Sequence, residues 1–455
     1  MNAIPSSYRD PAGFVVEEDG VYKRVVTPRG VADYEQLISS GLNDELVAAG
    51  LLVSHKIESS PELESQGSRL LIPEQIPFVS YPFEWSFDEL KDAALLTLDI
   101  QQRALAHGLV LKDASAYNVQ FQGAKPVFID TLSFTRYHGG AWVAYEQFCR
   151  QFLGPLLLMH YGAPDAARFL KEELDGFQLD RVSRSLPKRS YLRSGPLLHI
   201  HLHARAVRRQ SSRAFSPEIK EPVNLQELTA SLRRAVEKIR TPQYDVGWTG
   251  YYAESRFYPP GAQDAKREAV RDMAGRVSPR MVFDLGANTG LYAREVASLG
   301  ALCVAFESDS GCVNRMYLEE RAKARSNILP LVMDLANPSP PLGFELHSTM
   351  SLFERPQADL VLCLALIHHL RVSGNIPLAR IVQFLARLGR WLIIEFVPLT
   401  DPAIRTLTSR MGDFADYTLP GFLESFTKRY CLRASKPVTG TRRTLYLFER
   451  RPCAA

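Results

Sequence analysis

The sequence predicts two domains, an α+β N-terminal half followed by an α/β C-terminal half with a mostly parallel sheet. At 455 residues the chain is too long for one ordinary hydrophobic core. A basic, serine-containing segment at 206–224 has the composition of a linker. Beyond it, apolar strands alternate with helices, as in a parallel sheet covered on both faces. We therefore expect a first domain over 1–205, a linker and helix over 206–240, and a second domain over 241–455.

The composition is that of a soluble globular protein, with 46% hydrophobic and 23% charged residues. A net charge of +4 over this length does not indicate an obligatory nucleic-acid partner. Neither a signal peptide nor an apolar run of about 20 residues is apparent, so no membrane span is expected. No two cysteines form a CxxC pair, which favours free thiols in a reducing cytoplasm. The cysteines are Cys149, Cys303, Cys312, Cys363, Cys431 and Cys453.

In the N-terminal half, three polar residues have a spacing suited to phosphoryl transfer. Asp113, Asn118 and Asp130 follow the pattern D-x4-N-x11-D, and two strand-like runs flank a glycine-containing turn between the last two. An amphipathic helix is expected ahead of them, over residues 86–108. Phosphoryl transfer needs a carboxylate beside the acceptor hydroxyl, with an amide and a second carboxylate on magnesium.

This stretch resembles the aminoglycoside-phosphotransferase and small-molecule kinase group. The resemblance implies that Asp113 is the base, that Asn118 and Asp130 hold magnesium, and that Mg-ATP binds if the domain is active. Leu111 stands where the group usually has histidine, Thr-Leu-Ser follows Asp130 where the group has Phe-Gly, and no glycine-rich phosphate loop precedes the stretch. The possibility that this kinase-like domain is inactive therefore stays open.

The same resemblance suggests a cation for the phosphates on the candidate strand "GVYKRVV". Lys23 or Arg24 would supply it, and Glu35 or Glu45 on the next helical stretch would pair with that cation. Residues 76–85 would join the two lobes of the domain.

Between the two halves, "LLHIHLHARA" places His199, His201 and His203 at alternating positions. On a strand they would share one face, as a metal site requires, but on a helix they would splay apart. The alanine and arginines that follow favour a helix, so no metal site is predicted. Nearby arginines are expected to form a solvated face, with contact to an anionic acceptor as the alternative. These are Arg205, Arg208, Arg209 and Arg213.

The C-terminal half begins after a predicted helix over 224–241. Five buried strands are expected in "RMVFDLG", "LCVAFES", "ILPLVMD", "ADLVLCLAL" and "RWLIIEFV". Helices are expected in "LYAREVASLG" and "CVNRMYLEERAKA". The final runs, "RYCLRASKPV" and "RRTLYLFER", flank a Thr-Gly turn and predict an antiparallel hairpin at the sheet edge.

A glycine-containing loop follows the first of these strands, which ends at Asp284. Gly286 permits a tight turn, and Gly290 lets the next helix pack close to the strand. The spacing is G-x-x-x-G and lacks the middle glycine that admits a pyrophosphate in dinucleotide-binding folds. The ligand is therefore expected to lack a diphosphate.

Acidic residues also end the next two strands. Glu307 could accept hydrogen bonds from ribose hydroxyls, Asp334 from an adenine amino group, and Asp284 could hold an ammonium. A ligand with ribose, adenine and ammonium but no pyrophosphate matches S-adenosylmethionine.

Residues 281–450 resemble the class I S-adenosylmethionine-dependent methyltransferases, which have a Rossmann-like sheet. "DLGANTG" resembles the first motif of that family, "AFES" its acidic second-strand end and "MDLA" its third. The resemblance implies a cofactor-binding set of Asp284, Gly286, Asn288, Gly290, Glu307, Asp334, Leu335, Leu364 and Ala365.

The catalytic candidates follow the fourth and fifth strands. His368 and His369 fall where the methyl group would face the acceptor, and histidine titrates in the range of a useful base. Glu395 is a second base candidate. The Asn-Pro-Pro-aromatic signature for exocyclic amino groups is absent, which disfavours those acceptors. An aromatic segment over 245–260 could form a lid or pack as a linker. It contains Trp248, Tyr251, Tyr252, Phe257 and Tyr258.

The whole layout resembles bacterial nodulation-protein-like methyltransferases, which share "LKDASAYNVQF…FIDTLSF" ahead of a methyltransferase domain. We expect methyl transfer to a small molecule, a saccharide or a lipid-linked glycan, with the N-terminal domain binding or presenting the acceptor. One alternative is a bifunctional kinase–methyltransferase that modifies a glycan end. Another is a kinase-like scaffold whose methyltransferase acts on a protein partner.

Overall fold

The computed structural model describes residues 3–211, 224–244, 259, 261–405 and 414–452. The chain divides into two compact units. Unit 1 comprises Met1–Gln243 and Pro341–Thr349, and unit 2 comprises Tyr244–Pro340 and Met350–Ala455. The domain limits at 205 and 240 stay predictions.

Unit 1 combines short antiparallel strands with helices. Its elements are β1 (Gly13–Glu18), β2 (Val21–Val26), α1 (Pro28–Ser39), α2 (Leu42–Ala48), β3 (His55–Glu58), α3 (Pro61–Ser65), β4 (Arg69–Pro73), α4 (Phe87–Ala106), β5 (Leu109–Leu111), β6 (Val119–Gln122), β7 (Lys125–Phe128), β8 (Phe134–Arg136), α5 (Tyr145–Phe148), α6 (Gly154–His160), α7 (Leu179–Ser185), α8 (Ser194–Pro196), α9 (His203–Ser211) and α10 (Leu225–Glu237).

Three small sheets organise these strands. The first has the order β1-β2-β4-β3 and is antiparallel throughout, while β5 pairs with β8 and β6 pairs with β7. The expected helix and the expected glycine-turn hairpin are both present, as α4 and as β6–β7. Asp113, Asn118 and Asp130 all lie in the part of the chain between β5 and β8, in the loops before and after the β6–β7 hairpin.

Helix α4 is the central helix of unit 1. Its N-terminus is stabilised by Glu89, whose side chain accepts a hydrogen bond from the backbone N–H of Ser86 at 2.7 Å. Helix α10 packs against α4, and Lys91 Nζ donates to the carbonyl oxygen of Ile239 at 2.7 Å. The helix predicted from residue 224 is thus confirmed, and it belongs to unit 1. Asn224 caps it by accepting a hydrogen bond from Gln226 N.

Residues 341–349 belong to unit 1 although both flanking segments belong to unit 2. Leu342 and Thr349 form an antiparallel bridge that closes this segment into a narrow turn. Its Phe344 ring lies 6.0 Å from the ring of Tyr8, measured between centroids. The inserted segment is therefore an integral part of unit 1.

Unit 2 alternates strands and helices along most of its length. Its elements are α11 (Ala262–Val277), β9 (Met281–Leu285), α12 (Leu291–Ala297), β10 (Leu302–Glu307), α13 (Ser310–Arg321), β11 (Ile328–Val332), β12 (Ala358–Cys363), α14 (Leu378–Leu388), β13 (Gly389–Phe396), α15 (Pro402–Arg405), α16 (Leu419–Thr427), β14 (Tyr430–Pro437) and β15 (Thr444–Arg450).

The strands of unit 2 form one seven-stranded sheet in the order β11-β10-β9-β12-β13-β15-β14. Strands β9 to β13 are parallel, whereas β15 runs antiparallel to both β13 and β14. The five predicted strands and the terminal hairpin are confirmed. The chain reverses its direction of travel across the sheet between β9 and β12, and ligands of such sheets bind at the carboxyl ends of the strands at this point.

The described cysteines are all free thiols. Cys149, Cys303, Cys312 and Cys363 are buried and Cys431 is half-buried, while Cys453 lies outside the described residues. Within the described ranges, no helix is long and apolar enough to cross a membrane.

Candidate functional site

The loop after β9 needs glycine at two positions. Gly286 and Gly290 have φ angles of +72° and +83°, in the left-handed region that favours glycine. A Cβ atom on Gly290 would lie 2.6 Å from Met316 Sδ, so the Met316 side chain on α13 would have to move. The N–H groups of Gly286 and Ala287 both donate to the carbonyl oxygen of Phe306, at 2.9 and 3.0 Å. The loop is therefore held against the end of β10.

Glu307 ends β10, and its carboxylate is fixed by backbone N–H groups. Its Oε2 accepts from Asn288 N at 2.9 Å. Its Oε1 accepts from Ser308 N at 2.7 Å and Asp309 N at 3.0 Å. Because each carboxylate oxygen has two lone pairs, Glu307 can still accept hydrogen bonds from a ligand. Its role toward ribose hydroxyls stays a prediction.

Asp284 is the buried carboxyl group at the end of β9. It is only 2% exposed, and its Oδ2 has no hydrogen-bond partner among the described residues. Burial, followed by the negative charge of Glu307, raises the pKa of Asp284 to about 7, while Lys266 opposes this rise. An ammonium group or a water molecule bound to Oδ2 would satisfy this carboxylate. The residue therefore fits the cofactor expected from the sequence.

A cavity of about 380 Å³ opens at the carboxyl ends of β9, β10, β11 and β12. It gathers most of the residues predicted to bind the cofactor, together with one of the two predicted histidines. These are Gly286, Asn288, Glu307, Asp334, Leu335, Leu364, Ala365 and His369. Asp284, Gly290, His368 and Glu395 are not among its lining residues. The roles of all these residues stay predictions.

The cavity also includes residues that the sequence did not point to. Four of them are neighbours in sequence of the acids at the ends of β10 and β11, so this proximity could have predicted them. They are Phe306, Ser308, Met333 and Ala336. The others lie in the segment from Leu366 to Gly374, which contains a π-helical turn over His369–Ser373. Its lining members are Leu366, Leu370, Ser373 and Gly374.

Two residues of the cavity wall have backbone conformations that side chains rarely adopt. Asn288 has φ +51° and Ala365 has φ +49°. For alanine, with no side-chain hydrogen bond to compensate, the left-handed region costs of the order of 1–3 kcal/mol. Such strain persists only where the surrounding structure imposes it, and here both residues face the same cavity.

His369 is the histidine that reaches the cavity. The rings of His368 and His369 lie 4.3 Å apart between centroids. Burial lowers the pKa of His369. It lowers the pKa of His368 much further, and the nearby His369 adds to this effect. Both rings are therefore neutral at neutral pH, but only His369 lines a space that could hold an acceptor.

Glu395 occupies a different environment from the one expected for a base. Its Oε2 accepts from Lys266 Nζ at 2.6 Å, and both side chains are almost wholly buried. Arg443 lies 3.8 Å from its Oε1 and binds Asp401 through two hydrogen bonds of 2.8 and 3.0 Å. Burial lowers the pKa of Lys266, but the charge and hydrogen bond of Glu395, together with Tyr292, outweigh burial, so the pKa of Lys266 is raised. The prediction of Glu395 as a base is not supported, because this ion pair holds it in the interior.

In unit 1, Asn118 and Asp130 both hydrogen-bond to Ser133, and Asn118 also hydrogen-bonds to Asp113. Ser133 Oγ donates to Asp130 Oδ2 at 2.6 Å and accepts from Asn118 Nδ2 at 3.1 Å. Burial raises the pKa of Asp113, and the charge of Asp130 adds to this rise, while hydrogen bonds that include one from Asn118 oppose it. Arg24 Nη2 contacts Asp130 Oδ1 at 2.8 Å. The predicted cluster is thus real, and its second carboxylate is ion-paired.

Lys23 and Arg24 project to different sides of β2, as neighbours on a strand do. Lys23 Nζ pairs with Glu18 at 2.7 Å and with Glu58 at 2.8 Å, both on the sheet itself. Arg24 is the one of the two that reaches Asp130. Lys23 therefore does not approach the cluster, whereas Arg24 does, and the role of either residue toward phosphates stays a prediction.

The two glutamates expected to pair with that cation bind other partners. Glu35 contacts Arg69 at 3.3 Å. Glu45 contacts Arg103 and His107, each at 2.8 Å. Neither pairs with Lys23 or Arg24 in any ion pair found among the described residues. The expected pairing is therefore wrong, because both helices direct these side chains to nearer cations.

The three alternating histidines lie on helical backbone, as the sequence favoured. His199 hydrogen-bonds to Tyr145 Oη at 2.8 Å and to Ser231 Oγ at 3.0 Å. His201 hydrogen-bonds to two serine hydroxyls, each at 2.8 Å, and His203 stacks on Tyr145. No group of three or more potential metal ligands was found in the described parts of the chain.

Two predictions concern segments that the structure describes only in part. The aromatic residues Trp248, Tyr251, Tyr252, Phe257 and Tyr258 lie outside the described residues. Arg205 and Arg208 are exposed, and Arg208 pairs with Asp180 at 3.1 Å. Arg213 and the side chain of Arg209 lie outside the described part. The expected solvated face is therefore present at Arg205 and Arg208.

A nodulation protein, NoeA of Rhizobium meliloti (strain 1021), is 32% identical to this chain over 465 aligned residues, covering 98% of this chain and 96% of NoeA. No family model matches the chain. Similar solved structures include magnesium protoporphyrin IX methyltransferase (ChlM) from Synechocystis PCC 6803, at 18% identity and a TM-score of 0.30. This match covers 45% of this chain and 92% of ChlM.

Two further solved structures match a similar share of the chain. The N-methyltransferase NodS from Bradyrhizobium japonicum WM9 is 13% identical with a TM-score of 0.30, covering 42% of this chain and 98% of NodS. The bifunctional kinase–methyltransferase WbdD is 17% identical with a TM-score of 0.31, covering 45% of this chain and 42% of WbdD. On the near full-length match to NoeA, the chain belongs to the NoeA family of nodulation proteins, and its sheet order and cofactor loop are those of a class I S-adenosylmethionine-dependent methyltransferase.

Proposed function

We propose that unit 2 methylates a small molecule, a saccharide or a lipid-linked glycan, and that unit 1 binds or presents this acceptor. The observation that carries the proposal is the cavity at the strand ends, which combines two carboxylates with a neutral histidine. When bound, S-adenosylmethionine supplies a methyl group on a sulfonium. The protein has to align the acceptor with that methyl group and keep water away.

Three carboxylates would hold the cofactor in this proposal. Asp284 would hold its ammonium directly or through a water molecule, which would give the buried Oδ2 the partner that it lacks among the described residues. Glu307 would accept from the ribose hydroxyls with a carboxylate already oriented by backbone N–H groups. Asp334 would accept from the adenine amino group, and its Oδ1 is held by Ala336 N at 2.9 Å. Each proposed contact uses an oxygen with a remaining lone pair.

His369 would take the proton from an acceptor hydroxyl. It lines the cavity and is neutral at neutral pH because burial lowers its pKa. A neutral imidazole in contact with the acceptor can accept a proton as the new bond to carbon forms. His368 would support the position of its neighbour from the interior.

For unit 1, a kinase-like platform without phosphoryl transfer agrees best with the contacts of Asp130. The antiparallel sheet, the long helix α4 and the β6–β7 hairpin that leads to Asp130 support a kinase-like architecture. However, Asp130 accepts from Arg24 and from Ser133, so a cation and a hydroxyl already engage both of its oxygens. Arg24 would also repel a magnesium ion from the same carboxylate.

A bifunctional kinase–methyltransferase is the second candidate, favoured by the clustering of Asp113, Asn118 and Asp130. Under this alternative Mg-ATP binds unit 1 and Arg24 must leave Asp130 when magnesium arrives. Two results would establish this bifunctional activity. Mg-ATP should raise the unfolding temperature of the parent but not of Asp130→Asn, and phosphate transfer should be lost in Asp113→Asn. No shift and no ATP turnover with the purified chain would exclude it.

Labelled S-adenosylmethionine tests the main proposal and separates the acceptor classes. The purified chain is incubated with extracts divided into small-molecule, lipid-linked and protein fractions, and the label is traced by mass spectrometry. We expect label in the small-molecule or lipid-linked fraction, lost in His369→Ala. Label confined to a protein would favour the scaffold alternative, with a protein partner as the acceptor.

The free thiols are consistent with a cytoplasmic location, which remains a prediction that cell fractionation can check.

A further inference from the structure

A strongly basic stretch of unit 1 takes no part in the proposed methyl transfer. Residues 181–208 contain seven lysines and arginines and no aspartate or glutamate. Three of these cations pair with acids that precede the stretch, Glu173 and Asp180. No ion pair was found for the other four among the described residues. They are Lys188, Arg189, Arg193 and Arg205, and all four are exposed.

The same stretch exposes large apolar side chains that a monomeric surface normally covers. Leu192 is 87% exposed, Leu198 46%, Leu202 42% and Tyr191 37%. Single exposed leucines are ordinary, whereas several large apolar side chains exposed side by side are typical of an interaction surface. We define the four apolar residues and the four unpaired cations together as the basic–apolar surface.

Two ring contacts join the segment around Leu192 to the helical segment that follows it. Tyr191 stacks on His201, with ring centroids 3.6 Å apart and an angle of 9° between the planes. Arg205 lies over the same Tyr191 ring at 6.0 Å. Leu198 and Leu202 lie with His201 in the π-helical segment Leu197–Leu202, and Arg205 lies in α9, which follows that segment directly. The segment that carries Leu192 is therefore packed against the π-helical segment that carries Leu198 and Leu202.

We propose that the basic–apolar surface docks unit 1 onto a bilayer that contains anionic phospholipids. Cations held next to exposed leucines match such a bilayer, because headgroup phosphates attract the cations while the acyl boundary takes up the leucines. A nucleic acid would also attract the cations, but it offers little to three exposed leucines. An acidic protein would meet both features only if it carried a matching apolar patch. The docking goes beyond methyl transfer and does not depend on it.

The test uses the full chain and vesicle flotation. Vesicles of phosphatidylcholine alone are compared with vesicles of phosphatidylcholine and phosphatidylglycerol, at low and high salt. We expect flotation with the anionic vesicles only, weakened by salt. Exchanging Lys188→Gln and Arg193→Gln together should lower partitioning roughly tenfold or more, since each cation contributes separately near an anionic surface. The exchange of Leu192→Ser and Leu198→Ser should lower it by a similar factor.

Matched controls come from exposed residues of unit 2. Leu432→Ser removes a leucine that is 44% exposed, and Arg276→Gln with Lys428→Gln removes two exposed cations. Both controls should float like the parent protein. Circular dichroism and the unfolding temperature identify any variant that fails to fold.

Three results would overturn the proposal. The first is absence of flotation with anionic vesicles at low salt. The second is full flotation of the double leucine variant, which would mean that the surface attracts any polyanion. The third is tighter binding to a DNA duplex than to the vesicles, with loss of both in the cation variant, which would assign the surface to nucleic acid.

Discussion

Replacing Asp284 by asparagine should stabilise the protein without cofactor and weaken cofactor binding at the same time. Asp284 is buried, and its pKa is raised to about 7 from an ordinary value near 4. A rise of about three pH units corresponds to about 4 kcal/mol that the folded state loses when the carboxyl ionises. Asparagine removes this charge but leaves a buried amide without a partner, which costs about 1–3 kcal/mol. The net gain should be about 2 kcal/mol at pH 8.

The difference in stability between the variant and the parent should depend on pH. Because the folded state holds the proton more tightly, the parent protein loses stability as pH rises from about 4 to about 7. The variant has no such group, so near pH 4 it should be less stable than the parent, because only the cost of the unpartnered amide remains, and above pH 7 it should be more stable by about 2 kcal/mol. For a unit of this size, about 2 kcal/mol corresponds to roughly 4–8 °C in unfolding temperature. Differential scanning calorimetry across this pH range measures it.

Binding should change in the opposite direction. The carboxylate at Asp284 would form a charge-assisted hydrogen bond to the cofactor ammonium, worth about 1.5–3 kcal/mol. Its loss should weaken S-adenosylmethionine binding roughly 10- to 150-fold, measured by calorimetry at pH 8. Asp359→Asn is the matched control, because Asp359 accepts from Arg280 N and Met281 N at the opposite end of β9. Unchanged affinity in Asp284→Asn, or a stability gain that does not vary with pH, would refute this reasoning.

Three other predictions concern the loop, the histidine of the cavity and acid stability. Gly290→Ala should destabilise the protein by about 1–3 kcal/mol more than Gly300→Ala in urea unfolding, because both have positive φ but only Gly290 would crowd Met316; equal losses would show that φ alone matters. His369→Ala should lower turnover at least tenfold while cofactor affinity changes less than about twofold; a parallel fall in affinity would assign it to cofactor binding. Burial lowers the pKa of His199 to about 4. Because the folded state resists protonation of this ring, the free energy of unfolding should fall by about 2 kcal/mol between pH 7 and pH 5. His199→Gln should remove this part of the acid sensitivity, as measured by unfolding curves at the two pH values.

The sheet of unit 2 could be predicted because its strands are continuous apolar runs. A run such as "ILPLV" or "ADLVLC" is buried on both faces, and such strands belong to parallel sheets. The acids that end β9, β10 and β11 stand out because a charged residue directly follows an apolar run. Local sequence was therefore sufficient to predict which acidic residues lie at the carboxyl edge of the sheet.

The role of Glu395 could not be read in the same way. It follows an apolar run just as Glu307 does, so the two are indistinguishable along the chain. What separates them is Lys266, which α11 brings to within 2.6 Å of Glu395 from far away in sequence. The choice between Lys23 and Arg24 had a similar cause, since the side of β2 that faces Asp130 depends on packing. Partners distant in sequence decide both cases.

The insertion of residues 341–349 into unit 1 has a consequence for how the chain can be assembled on the ribosome. The last piece of unit 1 is synthesised about a hundred residues after Gln243, once most of the parallel strands of unit 2 have been made. The N-terminal unit therefore cannot reach its final packing before much of its neighbour in sequence has emerged. A chain shortened at residue 243 would lack the turn that carries Phe344 and would leave Tyr8 without its aromatic neighbour. Dissection of the two units should therefore rely on point substitutions in the intact chain.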